Sequence, residues 1–82
     1  MAEVTYYGAD WCTDCRRSKA FLNANSVEFV ENNVEESAEL AAKAEAIAGR
    51  KNIPVIQFKD GAFLVEPSDA DLKAALVERG LL

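Results

Sequence analysis

Two cysteines standing only three positions apart, Cys12 and Cys15, constrain this chain most strongly. The chain has 82 residues, enough for one domain over 1–82, and a domain of this size buries only about 60% of its unfolded surface. Small domains with thin cores often rely on several disulfides that join distant segments. A disulfide between residues this close would add about 2 kcal/mol at most to the free energy of unfolding. The pair therefore indicates reactive thiols or metal binding, and not a structural disulfide.

Alternating and β-branched segments predict four short strands. They lie at 4–7, 27–31, 53–58 and 62–65. Asp60-Gly61 predicts a two-residue hairpin turn between the last two strands. Pro54 stands near the opening of the third strand, where a missing N–H is tolerated.

Helical spacing and composition predict three helices. They lie at 12–25, at 37–48 with Gly49 as the terminating residue, and between a Ser68 cap and Gly80. The core-facing positions predicted for them are Cys15, Ser18, Phe21 and Leu22, then Leu40, Ala44, Ile47 and Ala48, then Leu72, Ala75 and Leu76.

The predicted order is β-α-β-α-β-β-α, an α/β fold. A helical crossover joins the first two strands, so they should run parallel with a right-handed connection. The last two strands form an antiparallel hairpin. The expected architecture is a four-stranded mixed sheet with helices on both faces.

The position of Cys12 indicates redox chemistry. It falls at a strand-to-helix junction, in the first turn of the helix, where free N–H groups carry about half a positive charge and stabilise a thiolate. Cys15 lies nearly one turn further along on the same side, so Cys12 can be exposed while Cys15 is buried. A C-x-x-C pair beside a βαβ pattern is typical of thiol–disulfide exchange, with Cys12 attacking a disulfide and Cys15 resolving the mixed disulfide.

The neighbours of the two cysteines leave several points open. Asp14 between them disfavours a thiolate, although an acid is favourable at a helix start, and Arg16 and Arg17 act in the opposite direction. The sequence does not decide whether these charges together favour or disfavour the Cys12 thiolate. Trp11 either shields the site or is a surface aromatic.

Metal binding is the alternative to redox chemistry. Zinc sites take four ligands, whereas the chain has two cysteines and no histidine. A closed site would need carboxylates, a second chain or an external thiol. Redox chemistry is therefore preferred and no metal ligand is assigned, with a non-enzymatic iron–sulfur or metal carrier as the rival hypothesis.

Two further segments are candidates for binding a substrate beside the cysteine pair. A cis peptide bond at Ile53-Pro54 would turn the Ile53 backbone toward the sulfur, ready to pair with an extended substrate. Ser68-Asp69 is predicted to cap the last helix, and a helix start near Cys12 could also hold the carboxylate or amide end of a small thiol.

These elements, in this order, resemble the glutaredoxins over essentially the whole chain. The resemblance implies a thioredoxin-like fold, catalytic Cys12 and Cys15, a cis Pro54 preceded by Ile53, and a thiol-binding pair at Ser68-Asp69. It also implies a low-molecular-weight thiol, mycothiol or glutathione, as co-substrate without a tightly bound cofactor.

The residues around the motif differ from the usual glutaredoxin pattern. Glutaredoxins commonly have Pro-Tyr between the cysteines, where this chain has Thr13-Asp14. They commonly have Lys where this chain has Ala9, and Gly-Gly where it has Glu66-Pro67.

A closer resemblance is to the actinobacterial mycoredoxins, through Trp11, Asp60-Gly61 and Pro67-Ser68. Mycoredoxins reduce mixed disulfides with mycothiol, a largely uncharged sugar thiol. Another group of redoxins donates electrons to ribonucleotide reductase and is recycled by thioredoxin reductase. The resemblance to this group is weaker than that to the mycoredoxins, because the segment 65–67 does not match theirs.

The partners expected from the sequence are disulfide-containing proteins, a small thiol and a flavoprotein reductase. The net charge of −5 argues against nucleic acid and anionic membranes. No secretory signal follows Met1-Ala2, and no stretch approaches the ~18 apolar residues of a membrane span. The sequence therefore predicts a cytoplasmic monomer.

Overall fold

A computed structural model describes residues 3–82 of the chain. The expectation about a missing signal at Met1-Ala2 lies outside the described residues. The strands are β1 (Val4–Gly8), β2 (Phe29–Asn33), β3 (Val55–Phe58) and β4 (Phe63–Val65), and the helices are α1 (Thr13–Ala24), α2 (Ala38–Ala48) and α3 (Asp69–Glu78).

The four strands form one mixed sheet in the order β2-β1-β3-β4. β1 runs parallel to β2, whereas β3 is antiparallel to both β1 and β4. The predicted element order and the thioredoxin-like architecture are confirmed. The central position of β1 matters for function, because the chain leaves its carboxyl end to begin α1.

The two faces of the sheet carry separate cores, as the alternation of side chains along a strand requires. Tyr6 packs with the buried leucines of α1 and α3 on one face. Tyr7 packs with Ala44 of α2 and with Val55 on the other. Helices therefore cover both faces, as predicted.

Serine side chains define the starts of α2 and α3. Ser37 Oγ accepts hydrogen bonds from the N–H groups of Glu39 and Leu40. Ser68 Oγ accepts from the N–H of Asp71 at 3.1 Å. Each serine hydroxyl thus satisfies N–H groups that have no partner within the helix.

The second strand begins two residues later than predicted. Val27 is buried, but its N–H donates to the Leu22 carbonyl at 2.9 Å, so it belongs to the turn that closes α1. Pairing starts only where Phe29 lies opposite Val4. The alternation of 27–31 was interpreted as a strand, but strand pairing with β1 decides where β2 begins.

The third strand and its hairpin also differ from the prediction. β3 starts at Val55 and excludes Ile53 and Pro54, since Pro54 has no N–H to donate and its carbonyl accepts from Glu66 at 2.9 Å. The predicted two-residue turn is a three-residue loop, because the pair that closes it is Phe58 and Ala62. Gly61 has φ of 92°, as the left-handed position of such a loop requires.

One hydroxyl in the core has no hydrogen-bond partner among the described residues. Ser18 on α1 is fully buried, and its Oγ is unpaired. An unpaired buried hydroxyl carries an uncompensated desolvation cost.

Ser18→Ala should therefore raise the free energy of unfolding by about 1 kcal/mol, since it removes this hydroxyl and introduces a better helix former. Urea denaturation of the reduced protein measures the change. Leu22→Ala, one turn further along the same face, serves as the opposite control and should cost about 2–5 kcal/mol. Destabilisation by Ser18→Ala would show that the hydroxyl has a partner.

Candidate active site

Cys12 is the N-cap residue of α1, just outside the first turn where the sequence places it. Its backbone is extended, with φ of −81° and ψ of 120°, and the helix begins at Thr13. The Cys15 N–H donates a hydrogen bond to Cys12 Sγ at 3.3 Å. The sulfur therefore occupies the capping position usually held by a serine or aspartate oxygen, and it faces the positive end of the helix.

The segment just before β3 approaches Cys12 from the other side. The Cys12 thiol lies 3.9 Å from the Ile53 carbonyl oxygen, to which it donates. The Ile53–Pro54 peptide bond is cis, the geometry that the resemblance implies. The Ile53 backbone thus contacts the half-exposed sulfur directly from outside the cysteine motif.

Cys15 lies one turn inside the helix and is fully buried. Burial raises the pKa of its thiol to about 12, and the neighbouring Cys12 sulfur acts in the same direction. Cys15 is therefore protonated at neutral pH, behind a half-exposed Cys12. This arrangement separates an accessible sulfur from a buried one.

Two residues of β1, Tyr6 and Gly8, were missed by the sequence analysis. The Tyr6 hydroxyl donates to the Cys15 carbonyl at 3.3 Å. A side chain at Gly8 would collide with that hydroxyl and lie 3.1 Å from Cys15 Sγ. The sequence ends the first strand at residue 7, just before Gly8, although a glycine beside a strand also signals a close approach of other groups.

Asp14, whose influence the sequence left open, is paired with Arg17. The Arg17 guanidinium contacts Asp14 Oδ1 at 3.1 Å and donates to the Pro67 carbonyl at 3.2 Å. It also lies 3.8 Å from Asp69 Oδ1. One arginine therefore joins the cysteine motif to the start of α3.

The predicted Ser68-Asp69 pair lies at the start of α3, next to α1. The Ser68 hydroxyl is occupied as the helix cap, and the Asp69 carboxylate faces Arg17. The preceding Glu66 takes a left-handed φ of 50°, a conformation that favours glycine. The Glu66 N–H donates to the Pro54 carbonyl, and the Glu66 carboxylate accepts from the Asn52 side-chain amide. These two hydrogen bonds hold the loop before α3 against the cis-proline segment.

A groove of about 440 Å³ lies between α2 and the segment that leads to Pro54. Trp11, which is 66% exposed, lines this groove together with Ile53. Alanines of α2 and Val34 contribute apolar surface, and the polar side chains that line it are Glu45, Arg50, Lys51 and Asn52.

Two kinds of feature are absent from residues 3–82 of the chain. Within them, no group of three or more His, Cys, Asp or Glu side chains is arranged to hold a metal ion. Within the same residues, no helix is long and apolar enough to cross a membrane.

The sequence model of the glutaredoxin family matches residues 4–63, which contain both cysteines and Pro54. This chain belongs to the glutaredoxin family. The match extends from β1 through the first residue of β4, so it includes the cysteine motif and the cis-proline segment but not α3.

Individual glutaredoxin relatives cover the rest of the chain. A glutaredoxin of Mycobacterium tuberculosis is 33% identical over 78 residues, which span 94% of this chain and 93% of the relative. Mycoredoxin 1 of Corynebacterium glutamicum is 26% identical over 76 residues, or 93% of this chain and 95% of the relative. The crystal structure of a glutaredoxin from Archaeoglobus fulgidus superposes with a TM-score of 0.81 at 26% identity, covering 90% of this chain and 85% of that one.

Arg17→Ala should lower the free energy of unfolding by about 1 kcal/mol, because it removes the hydrogen bond to Pro67 and two partly exposed ion pairs. Arg16→Ala is the matched control and should change it by less than about 0.5 kcal/mol, since Arg16 is exposed on the same helix. Urea denaturation measures both variants. Equal losses would show that the contact with α3 does not contribute.

Stability at alkaline pH tests the burial of Cys15. A thiol whose pKa is raised from 9.0 to about 12 on folding is deprotonated more readily in the unfolded chain. The contribution of the protonated Cys15 thiol to the free energy of unfolding is therefore complete below pH 9 and is lost as the pH rises toward 12. In the reduced protein, the fall in unfolding free energy between these values should be smaller for Cys15→Ala than for the unsubstituted chain. Identical pH dependence would contradict a buried, protonated Cys15.

Proposed function

We propose that this glutaredoxin reduces protein disulfides, and mixed disulfides between proteins and a low-molecular-weight thiol, with Cys12 as nucleophile and Cys15 as resolving thiol. One observation carries the proposal. The Cys15 N–H donates to Cys12 Sγ at the start of α1, while Cys15 itself is fully buried behind it. The half-exposed sulfur is the one that a substrate can reach, and the helix start stabilises its negative charge.

The reaction transfers two electrons in two exchange steps. The Cys12 thiolate attacks one sulfur of the substrate disulfide, and the other sulfur leaves as a thiolate that takes up a proton. Cys15 then attacks Cys12 Sγ, which breaks the mixed disulfide and releases the second product as a thiol. The protein is left with a Cys12–Cys15 disulfide, and a reductant must open it before the next cycle.

The Ile53 backbone and the groove supply surfaces for the substrate. An extended peptide can pair with the backbone that leads to Pro54, because the Ile53 carbonyl lies beside Cys12 Sγ. A small thiol can occupy the groove next to Trp11, whose indole presents a flat apolar face. Ser68 and Asp69 at the start of α3 are proposed as further contacts to that thiol.

We propose mycothiol as this small thiol. The groove offers apolar alanine surface together with Glu45, Arg50, Lys51 and Asn52, whose side chains can hydrogen-bond the hydroxyls of a sugar thiol. Ala9 is buried and supplies no cation beside the motif. The 26% identity with mycoredoxin 1 over nearly the whole chain supports the same choice. The protein is proposed to act as a cytoplasmic monomer, with a flavoprotein reductase completing the electron supply.

Cys12→Ser should abolish turnover, whereas Cys15→Ser distinguishes two routes. In reduction of a mixed disulfide, Cys12 takes over the small thiol and a second molecule of that thiol then frees Cys12, so Cys15→Ser should keep this activity while losing reduction of protein disulfides. Both activities are measured with a mycothiol-modified protein and with a protein disulfide as substrates. Turnover by Cys12→Ser would disprove the assignment of the nucleophile.

The reductant is identified by incubating the oxidised protein separately with mycothiol, with glutathione and with NADPH plus thioredoxin reductase. Free thiols should return fastest with mycothiol. Regeneration by thioredoxin reductase alone would place the protein with the ribonucleotide reductase donors instead. Elemental analysis of anaerobically purified protein tests the metal-carrier alternative, which requires stoichiometric iron or zinc.

A further inference from the structure

Tyr6 places a hydroxyl in the core directly behind the cysteine motif. Its side chain is 3% exposed, and its hydroxyl donates to the Cys15 carbonyl at 3.3 Å. This distance is long for a hydrogen bond between oxygens, whose usual separation is about 2.7–2.8 Å. The hydroxyl is therefore held near Cys15 by a weak contact that it can exchange for a stronger one.

Gly8 shows how close this hydroxyl is to the resolving sulfur. A Cβ at this position would collide with the Tyr6 hydroxyl and would stand 3.1 Å from Cys15 Sγ. The hydroxyl and the Cys15 sulfur thus border the same space above Gly8, which a side chain there would fill. The absence of a side chain at Gly8 is what allows the two groups to meet.

We propose that Tyr6 is a positioning residue for the resolving step, in which its hydroxyl donates a hydrogen bond to Cys15 Sγ as that sulfur becomes a thiolate. The inference rests on the proposed function, because it assigns a helper to the proposed attack of Cys15. In that attack the Cys15–Cys12 bond forms and the bond from Cys12 to the substrate sulfur breaks. The proton lost by Cys15 is balanced by the one taken up by the departing thiolate.

The surroundings of Cys15 explain why such a donor is needed. Burial raises the pKa of the Cys15 thiol, and the nearby Cys12 sulfur adds to this, whereas the neighbouring Ala9 backbone and Tyr6 hydroxyl lower it. Burial also raises the pKa of the Tyr6 hydroxyl, and the adjacent Cys15 thiol and the Glu31 carboxylate act in the same direction, so the hydroxyl stays protonated and able to donate. The buried Tyr6 hydroxyl is thus placed to favour the Cys15 thiolate by donating to it.

The test is a two-phase reaction of the reduced protein with 5,5′-dithiobis(2-nitrobenzoate), which releases a coloured thiolate at each step. The first phase reports attack by Cys12, and the second reports displacement by Cys15. Tyr6→Phe should leave the first phase unchanged and slow the second by about tenfold, the size expected for one hydrogen bond to a charged group. The rise of the second rate with pH should also shift to higher pH.

Tyr7→Phe is the matched control, since Tyr7 is equally buried but packs against α2 on the other face of the sheet. It should leave both phases and their pH profiles unchanged. An unchanged second phase in Tyr6→Phe would overturn the inference. So would a slower second phase with an unmoved pH profile, which is the signature of altered packing alone.

The proposed function fails in a different way. If the unsubstituted protein released only one coloured thiolate, or if Cys12→Ser kept the first phase, the cysteine roles themselves would be wrong. Neither result depends on a change at Tyr6.

A second variant keeps the hydroxyl and changes only its strength as a donor. The chain has two tyrosines, so 3-fluorotyrosine fed to the Tyr7→Phe variant enters only at position 6. Its hydroxyl is more acidic, so the second phase should become faster and its pH profile should move to lower pH. This measurement decides the question even if Tyr6→Phe does not fold, and an unchanged rate and profile would overturn the inference.

Discussion

The hydrogen bond from the Cys15 N–H to Cys12 Sγ is the contact on which the rest of the site depends. It places one sulfur at the cap of α1, outside the helix, and the other one turn inside it. The same three-residue spacing therefore gives the two thiols opposite surroundings, a half-exposed helix start and a dry core. No metal or distant charged side chain is needed to distinguish them, because the helix backbone does so.

Several features of this site were predictable because local chemistry decides them. A serine before a run of helix formers specifies a helix start, as Ser37 and Ser68 do. The strand-to-helix junction at Cys12 and the burial of Cys15 follow in the same way from short-range spacing. The element order and the family resemblance extend these local predictions to the whole fold.

Other features depend on contacts between distant segments and were not predictable from local patterns. Val27 continues an alternating pattern, but β2 begins only where Phe29 meets β1. Arg17 could have faced solvent, yet it bridges Asp14 and the start of α3. The requirement for glycine at position 8 is also hidden, since nothing in the sequence shows that the Tyr6 hydroxyl occupies the space where a side chain would be.

We infer that position in α1 makes Cys12 the reactive thiol and Cys15 the protected one. Competitive alkylation of the folded, reduced protein with limiting iodoacetamide at pH 7, followed by peptide mass spectrometry, measures both rates in one sample. Cys12 should be modified about a hundredfold faster or more, and Cys15 should reach a comparable rate only in denaturant. Equal rates in the folded protein, or faster modification of Cys15, would contradict it.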